Sequence, residues 1–260
     1  MIEKLRVGDN TEAPLNYLKK VPAFRNGAEY NFTPGVNVIV GENGCGKTTL
    51  LSLLRIYLCV DDVECGRGLF NSSIHRLHED ILDHNSGFYG GVEVFADYRN
   101  NTYNLMSFRD RSSDYTQKSV GNLYESLTAS SMSMGQKAGY ALETLFNKVF
   151  SKDVVSEFDY EGNYRDYPLY MEYIKNHRTQ DATKHTLLMD EPDSSMDLGN
   201  IMQLYGVLSY NHPDLQVLAV VHNPFLIAKL SGVKDINIIE MSEGYVDKIR
   251  REVDKFNKMK

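Results

Sequence analysis

Apolar residues along this chain gather in a few short runs separated by polar stretches. Gly35–Gly41 (GVNVIVG) is brief and rich in β-branched residues, which fits a strand buried on both faces. Thr186–Met189 and Leu215–Val221 (LQVLAVV) have the same character, and Ile236–Glu240 predicts a last strand. Helical spacing marks Thr48–Tyr57, Leu198–Tyr210 and Gln136–Phe150. In the last of these, Ala138, Ala141, Leu142, Leu145, Phe146 and Val149 share one face. Gly91–Phe108 alternates around Arg99-Asn100-Asn101 and predicts a β-hairpin with its turn there. Polar segments cover Asp61 to about Ser86 and Arg109 to Ser130. No repeat, low-complexity segment or sustained heptad is present, which excludes a long coiled-coil arm.

Buried strands alternating with helices imply an α/β fold. The expected architecture is a P-loop NTPase: a mainly parallel central sheet flanked by helices, with the hairpin as a small antiparallel lobe. The 260 residues suffice for one large domain or two small ones. The reading is one domain over 1–260, with insertions at about 61–130 and 151–182.

Charge and cysteine content narrow the setting. The net charge of −7 argues against whole-surface attraction to nucleic acid or acidic membrane. The tail Lys248–Lys260 is locally basic. It reads as a solvated last helix in preference to a phosphate-binding tail. Three cysteines, Cys45, Cys59 and Cys65, form no disulfide framework. The start lacks a secretory apolar core, and no run approaches the roughly 18 apolar residues of a membrane span. The expected setting is cytoplasmic and reducing, without direct membrane insertion.

Gly41-Glu-Asn-Gly-Cys-Gly-Lys-Thr48 matches G-x-x-x-x-G-K-[ST], between a predicted strand and a predicted helix. Glycines let the backbone curl so that N–H groups point at phosphate oxygens. The helix start adds its positive dipole end. The nucleotide-binding candidates are Gly41, Asn43, Gly44, Cys45, Gly46, Lys47, Thr48 and Thr49. Lys47 would reach the β- and γ-phosphates of ATP, and the Thr48 hydroxyl would coordinate Mg²⁺. Cys45 reads as a small residue facing away in preference to a regulatory thiol.

Leu187–Glu191 places two acids at the end of a buried strand, the edge where ligands collect in open α/β sheets. Asp190 is assigned to the metal, and Glu191 to orienting and deprotonating the attacking water. His222 ends the next strand and is placed near the γ-phosphate and that water. Ser133-Met-Gly135-Gln136-Lys137 opens a helix and offers a second, weaker anion site.

In order, these pieces resemble the ATP-binding cassette ATPases. Gly41–Thr48 resembles the first phosphate motif and Met132–Gln136 the LSGGQ signature. Leu187–Glu191 resembles the acidic strand with its catalytic glutamate, Ser194–Asp197 the D-loop, and His222 the switch histidine. The resemblance implies a homodimer closing head to tail on two ATP molecules. Ser133, Gly135 and Gln136 of one copy would complete the site holding Lys47 of the other, with Asp197 at the junction. Intact γ-phosphate would favour the closed dimer and hydrolysis would release it.

Details resemble the soluble branch that includes structural-maintenance-of-chromosomes, RecF and OLD-type proteins. These are Pro34–Gly44 leading into the loop, Gly135-Gln-Lys137, and Val221-His-Asn-Pro-Phe-Leu226. Transporter ATPases carry a glutamine some tens of residues after the phosphate loop. Here the first glutamine after Lys47 is Gln117. Met134 replaces the usual signature glycine.

The branch implies a partner, such as a nuclease, toxin or other effector subunit, in DNA maintenance or in defence against phage or plasmids. Direct nucleic-acid binding stays open. The alternatives are the nucleotide-binding subunit of a membrane transporter, and an ATP-gated module that scarcely hydrolyses. Tyr160, Tyr164, Tyr167, Tyr170 and Tyr173 fit a partner surface or base stacking on one hand and a helix packed on the core on the other. His75, His78, His84 and Glu79 read as a solvated helix, since no metal-ligand set closes.

Overall fold

The computed structural model describes residues 1–12, 15–58, 86–97, 101–107, 184–194, 196–210 and 213–259. The predicted helix Gln136–Phe150, the signature Ser133–Gln136, Gln117, the tyrosine-rich segment and the histidines at 75, 78 and 84 lie outside them.

The buried runs become parallel strands. These are β3 (Val36–Val40), β7 (Lys184–Asp190), β8 (Leu215–Val220) and β9 (Asn237–Glu240). With β6 (Asn101–Ser107) they form a five-stranded sheet in the order β6-β7-β8-β3-β9. Every pairing in it is parallel. A second, antiparallel sheet has the order β2-β1-β5-β4. It is built from β1 (Ile2–Val7), β2 (Ala28–Asn31), β4 (Ser86–Tyr89) and β5 (Val92–Ala96). A parallel sheet and an antiparallel lobe are therefore both present.

The predicted hairpin over Gly91–Phe108 is corrected. Its two alternating runs belong to different sheets: β5 pairs with β1 and β4, whereas β6 pairs in parallel with β7. The hairpin lies one strand earlier, and its turn is Gly90-Gly91, with φ of 56° and 86°. Two consecutive left-handed residues match the right-handed twist of a hairpin, and glycine takes them without steric cost.

Side-chain alternation on the parallel strands feeds two cores. Ile39, Leu188, Leu218 and Val220 face α1 (Lys47–Leu58) and the antiparallel sheet, meeting Leu50, Leu54, Ile2 and Val94. Val38, Met189, Val217 and Ala219 face the opposite layer of helices. That layer comprises α2 (Leu198–Ser209), α3 (Pro224–Leu230) and α4 (Tyr245–Lys258). It contributes Leu204, Leu208, Leu226, Ile227, Leu230 and Val246.

One buried amide ties the two sheets together. Gln216 of β8 donates to the Ile2 and Thr33 carbonyls at 2.8 and 2.9 Å. Its Oε1 accepts from Ile2 N at 2.8 Å and from the Thr186 hydroxyl at 3.1 Å. Such a group is tolerated in a core because both ends are satisfied.

The basic tail forms α4 on the surface. Lys248 pairs with Glu42, Lys255 with Glu252, and Arg250 bonds Ser231. Among the described residues, no helix is long and apolar enough to cross a membrane.

Candidate functional site

Three neighbouring strands end together. The loop Gly41–Gly46 follows β3, the acids Asp190 and Glu191 end β7, and His222 follows β8. Since β8 lies between β3 and β7, the loop and the acids reach toward each other across the end of the middle strand. A cleft of about 780 Å³ opens there, within the ordinary size of a ligand pocket. Asn43, Gly44, Gly46, Lys47, Thr48 and Thr49 line one side. Glu191, Asp193, Ser194, His222 and Asn223 line the other, and Val21 adds an apolar edge.

Glycine is required at Gly46. Its φ is +122°, and an added Cβ would stand 2.6 Å from Cγ1 of Val21. Lys47 opens α1 and is only 4% exposed. Its ammonium donates to the Gly41 carbonyl at 2.7 Å and to the Glu42 carbonyl at 2.9 Å. A buried ammonium needs such acceptors, and these two hold the lysine along the inside of the loop. Cys45 is buried in the core cluster beside α1 and does not line the cleft.

The acid pair splits between two partners. Asp190 is buried, and its Oδ1 lies 3.4 Å from the Thr48 hydroxyl. One hydroxyl and one carboxylate facing phosphate-binding backbone is the sparse donor set Mg²⁺ takes when phosphate oxygens and water complete its shell. The residues present therefore fit that ion. Glu191 has φ of 53°, the one left-handed non-glycine among the described residues. Its carbonyl accepts from Ser194 N at 3.0 Å, closing a tight turn. Its Oε1 reaches to 3.0 Å from Nε2 of His222.

Asp193 belongs to the cleft without having been singled out in the sequence, and Ser194 and Asn223, read there only within the D-loop and switch segments, line it too. Asp193 is 7% exposed, and burial pushes its carboxyl above the usual carboxylate range. Asn223 was legible as a helix cap. It precedes Pro224, and its side chain accepts from Phe225 N and Leu226 N at 3.0 and 3.1 Å. Asp197 caps α2, accepting from Asn200 N at 2.8 Å, and stands outside the cleft lining.

The AAA domain family matches residues 17–184, well over half of the chain. The chain belongs to the AAA domain family. As an AAA-domain protein it has the P-loop ATPase type of fold and is an ATP-binding protein of the ATPase class. The matched stretch contains the phosphate loop and stops short of Asp190, so the second wall of the cleft is read from geometry alone.

No curated protein matches the sequence significantly. Among solved structures, this AAA-domain chain aligns with a protein assigned to the metal-chelate type of ABC transporter, in an inward-facing conformation. That alignment has 14% identity over 91% of this chain and 80% of that one, at a TM-score of 0.37. It also aligns with a nucleotide-free ATP-binding cassette from an ABC transporter. There the identity is 11% over 96% and 95% of the two chains, at a TM-score of 0.39. Likeness at this level bears on neither substrate nor assembly.

Proposed function

We propose that the chain hydrolyses ATP in this cleft, as one ATPase unit over 1–260 with insertions at about 61–130 and 151–182. The carrying observation is convergence. Thr48 meets Asp190 at 3.4 Å, Glu191 meets His222 at 3.0 Å, and Thr48, Glu191 and His222 line one opening. The backbone from Gly41 to Thr49, including Asn43, Gly44, Cys45 and Gly46, cradles the phosphates. Lys47 turns from the loop carbonyls to the β- and γ-phosphates. Thr48 and Asp190 hold Mg²⁺, which when bound neutralises charge on the phosphate oxygens. Glu191 accepts a proton from water as its oxygen bonds to the γ-phosphorus. The bond to the bridging oxygen then breaks and ADP leaves. His222 lies beside Glu191 and orients the water and the γ-phosphate.

In this reading a second copy supplies Ser133, Gly135 and Gln136 to the same ATP, with Asp197 at the junction. ATP then acts as a clamp between two molecules. The sequence features shared with the structural-maintenance-of-chromosomes, RecF and OLD-type branch support a gated effector partner, such as a nuclease or toxin, in DNA maintenance or defence.

The test is Glu191→Gln with ATP and Mg²⁺, followed by light scattering and identification of what co-purifies. The expected result is a stable dimer carrying a nuclease, toxin or nucleic acid. A strictly monomeric variant that binds ATP would remove the clamp. Recovery with a polytopic membrane protein would replace the effector reading with a transporter.

A further inference from the structure

The turn after β8 is held by a carboxylate that belongs to the turn after β7. Oδ2 of Asp193 accepts from His222 N at 2.7 Å and also from Asn223 N. The next residue, Pro224, has no N–H to place, and the two amides after it are capped by Asn223 itself. Every backbone donor from His222 to Leu226 that the chain possesses therefore has a side-chain acceptor, and Asp193 provides the first two. Asp193 itself sits inside the closed turn from Glu191 to Ser194. Glu191 N in addition donates to the Val220 carbonyl at 3.2 Å. The acid and the histidine thus stand on two turns stitched together at the backbone.

Burying a carboxylate this deeply is unfavourable unless its bonds compensate. Oδ1 of Asp193 has no hydrogen-bond partner among the described residues, so Oδ2 alone holds both amides. An apolar residue would avoid that cost but would offer no acceptor to the His222 and Asn223 amides.

We propose that Asp193 is a positioning residue for the hydrolytic site, one that sets the imidazole of His222 beside Glu191 by gripping the His222 and Asn223 backbone amides. The assignment rests on the ATPase reading above. Asp193 need not touch nucleotide to act. Misplacing a catalytic neighbour by about 1 Å can cost on the order of 100-fold in rate.

The experiment compares steady-state ATP hydrolysis and equilibrium ATP binding for wild type, Asp193→Ala, Asp193→Asn, His222→Ala and the Asp193→Ala/His222→Ala double variant. Asp193→Ala should lose about 10- to 100-fold in kcat. Its ATP dissociation constant should stay within about threefold, a small free-energy change. Asp193→Asn, which keeps an oxygen acceptor, should recover most of the rate. The double variant should be no slower than His222→Ala, because both changes remove one function. The inference is overturned if Asp193→Ala turns over normally. It is equally overturned if ATP binding falls with kcat, if Asn fails to rescue, or if the two changes multiply. A wild-type protein without ATPase activity would instead remove the underlying reading.

Discussion

Oε1 of Glu191 stands 3.0 Å from Nε2 of His222, the two residues coming from the ends of neighbouring parallel strands. The glutamate side chain is 14% exposed and the histidine 33%, so the pair is partly shielded but open toward the cleft. A carboxylate so placed can take a proton from water on its cleft side while the imidazole holds its orientation. His222→Ala should therefore slow phosphate release by roughly 10- to 100-fold, with ATP affinity nearly unchanged. Phosphate release at saturating ATP measures it. An unchanged rate would leave His222 a structural residue.

The backbone at Glu191 yields a stability prediction. A left-handed φ of 53° costs a residue with a Cβ about 1–2 kcal/mol. Glycine avoids this cost, although it ordinarily destabilises relative to alanine by roughly 0.5–1 kcal/mol. The usual order should invert here. Glu191→Gly should be more stable than Glu191→Ala in urea unfolding, while neither hydrolyses ATP. The reverse order would mean that the left-handed turn is not retained in solution.

Gly46 tests the loop. A Cβ there would lie 2.6 Å from Val21 and 3.2 Å from Phe24. Gly46→Ala should abolish ATP binding by isothermal titration while circular dichroism stays close to wild type. Adding Val21→Ala should restore part of the affinity by removing the nearer clash. No recovery in that double variant would place the defect in the backbone conformation alone.

Tyr57 pins α1 to the hairpin. Its ring is fully buried, and its hydroxyl donates to the Tyr89 carbonyl at 2.6 Å and to the Val92 carbonyl at 3.2 Å. Phenylalanine keeps the packing and removes the donor, which should cost about 1–3 kcal/mol by denaturant unfolding. Turnover per folded molecule should be unchanged.

The parallel strands were legible because each is buried on both faces and reads as an unbroken apolar run. Their order was not. Nothing in Val36–Val40 says that β8 will lie beside it, since strand neighbours are fixed by crossovers. The alternation on both sides of Arg99 was real, but alternation reports a half-buried face and not the partner strand. The Gly90-Gly91 turn carried the stronger signal. β1 was missed because Ile2, Leu5 and Val7 do not alternate strictly, the register shifting between Ile2 and Lys4. Lys47, Thr48, Asp190, Glu191 and His222, which the structure brings together at the cleft, could be picked out in the sequence because motifs of fixed residue type and spacing point to them. Asp193 could not be, because its role exists only once residues 193 and 222 are brought together by the sheet.

In the proposed mechanism this cleft hydrolyses ATP with Glu191 as the base. Phosphate release by wild type and Glu191→Gln, measured side by side at saturating ATP and Mg²⁺, tests it most directly. Wild type should turn over, and the glutamine variant should bind ATP equally well yet release phosphate at least about 100-fold more slowly. Equal rates for the two proteins, or no hydrolysis by wild type, would contradict it.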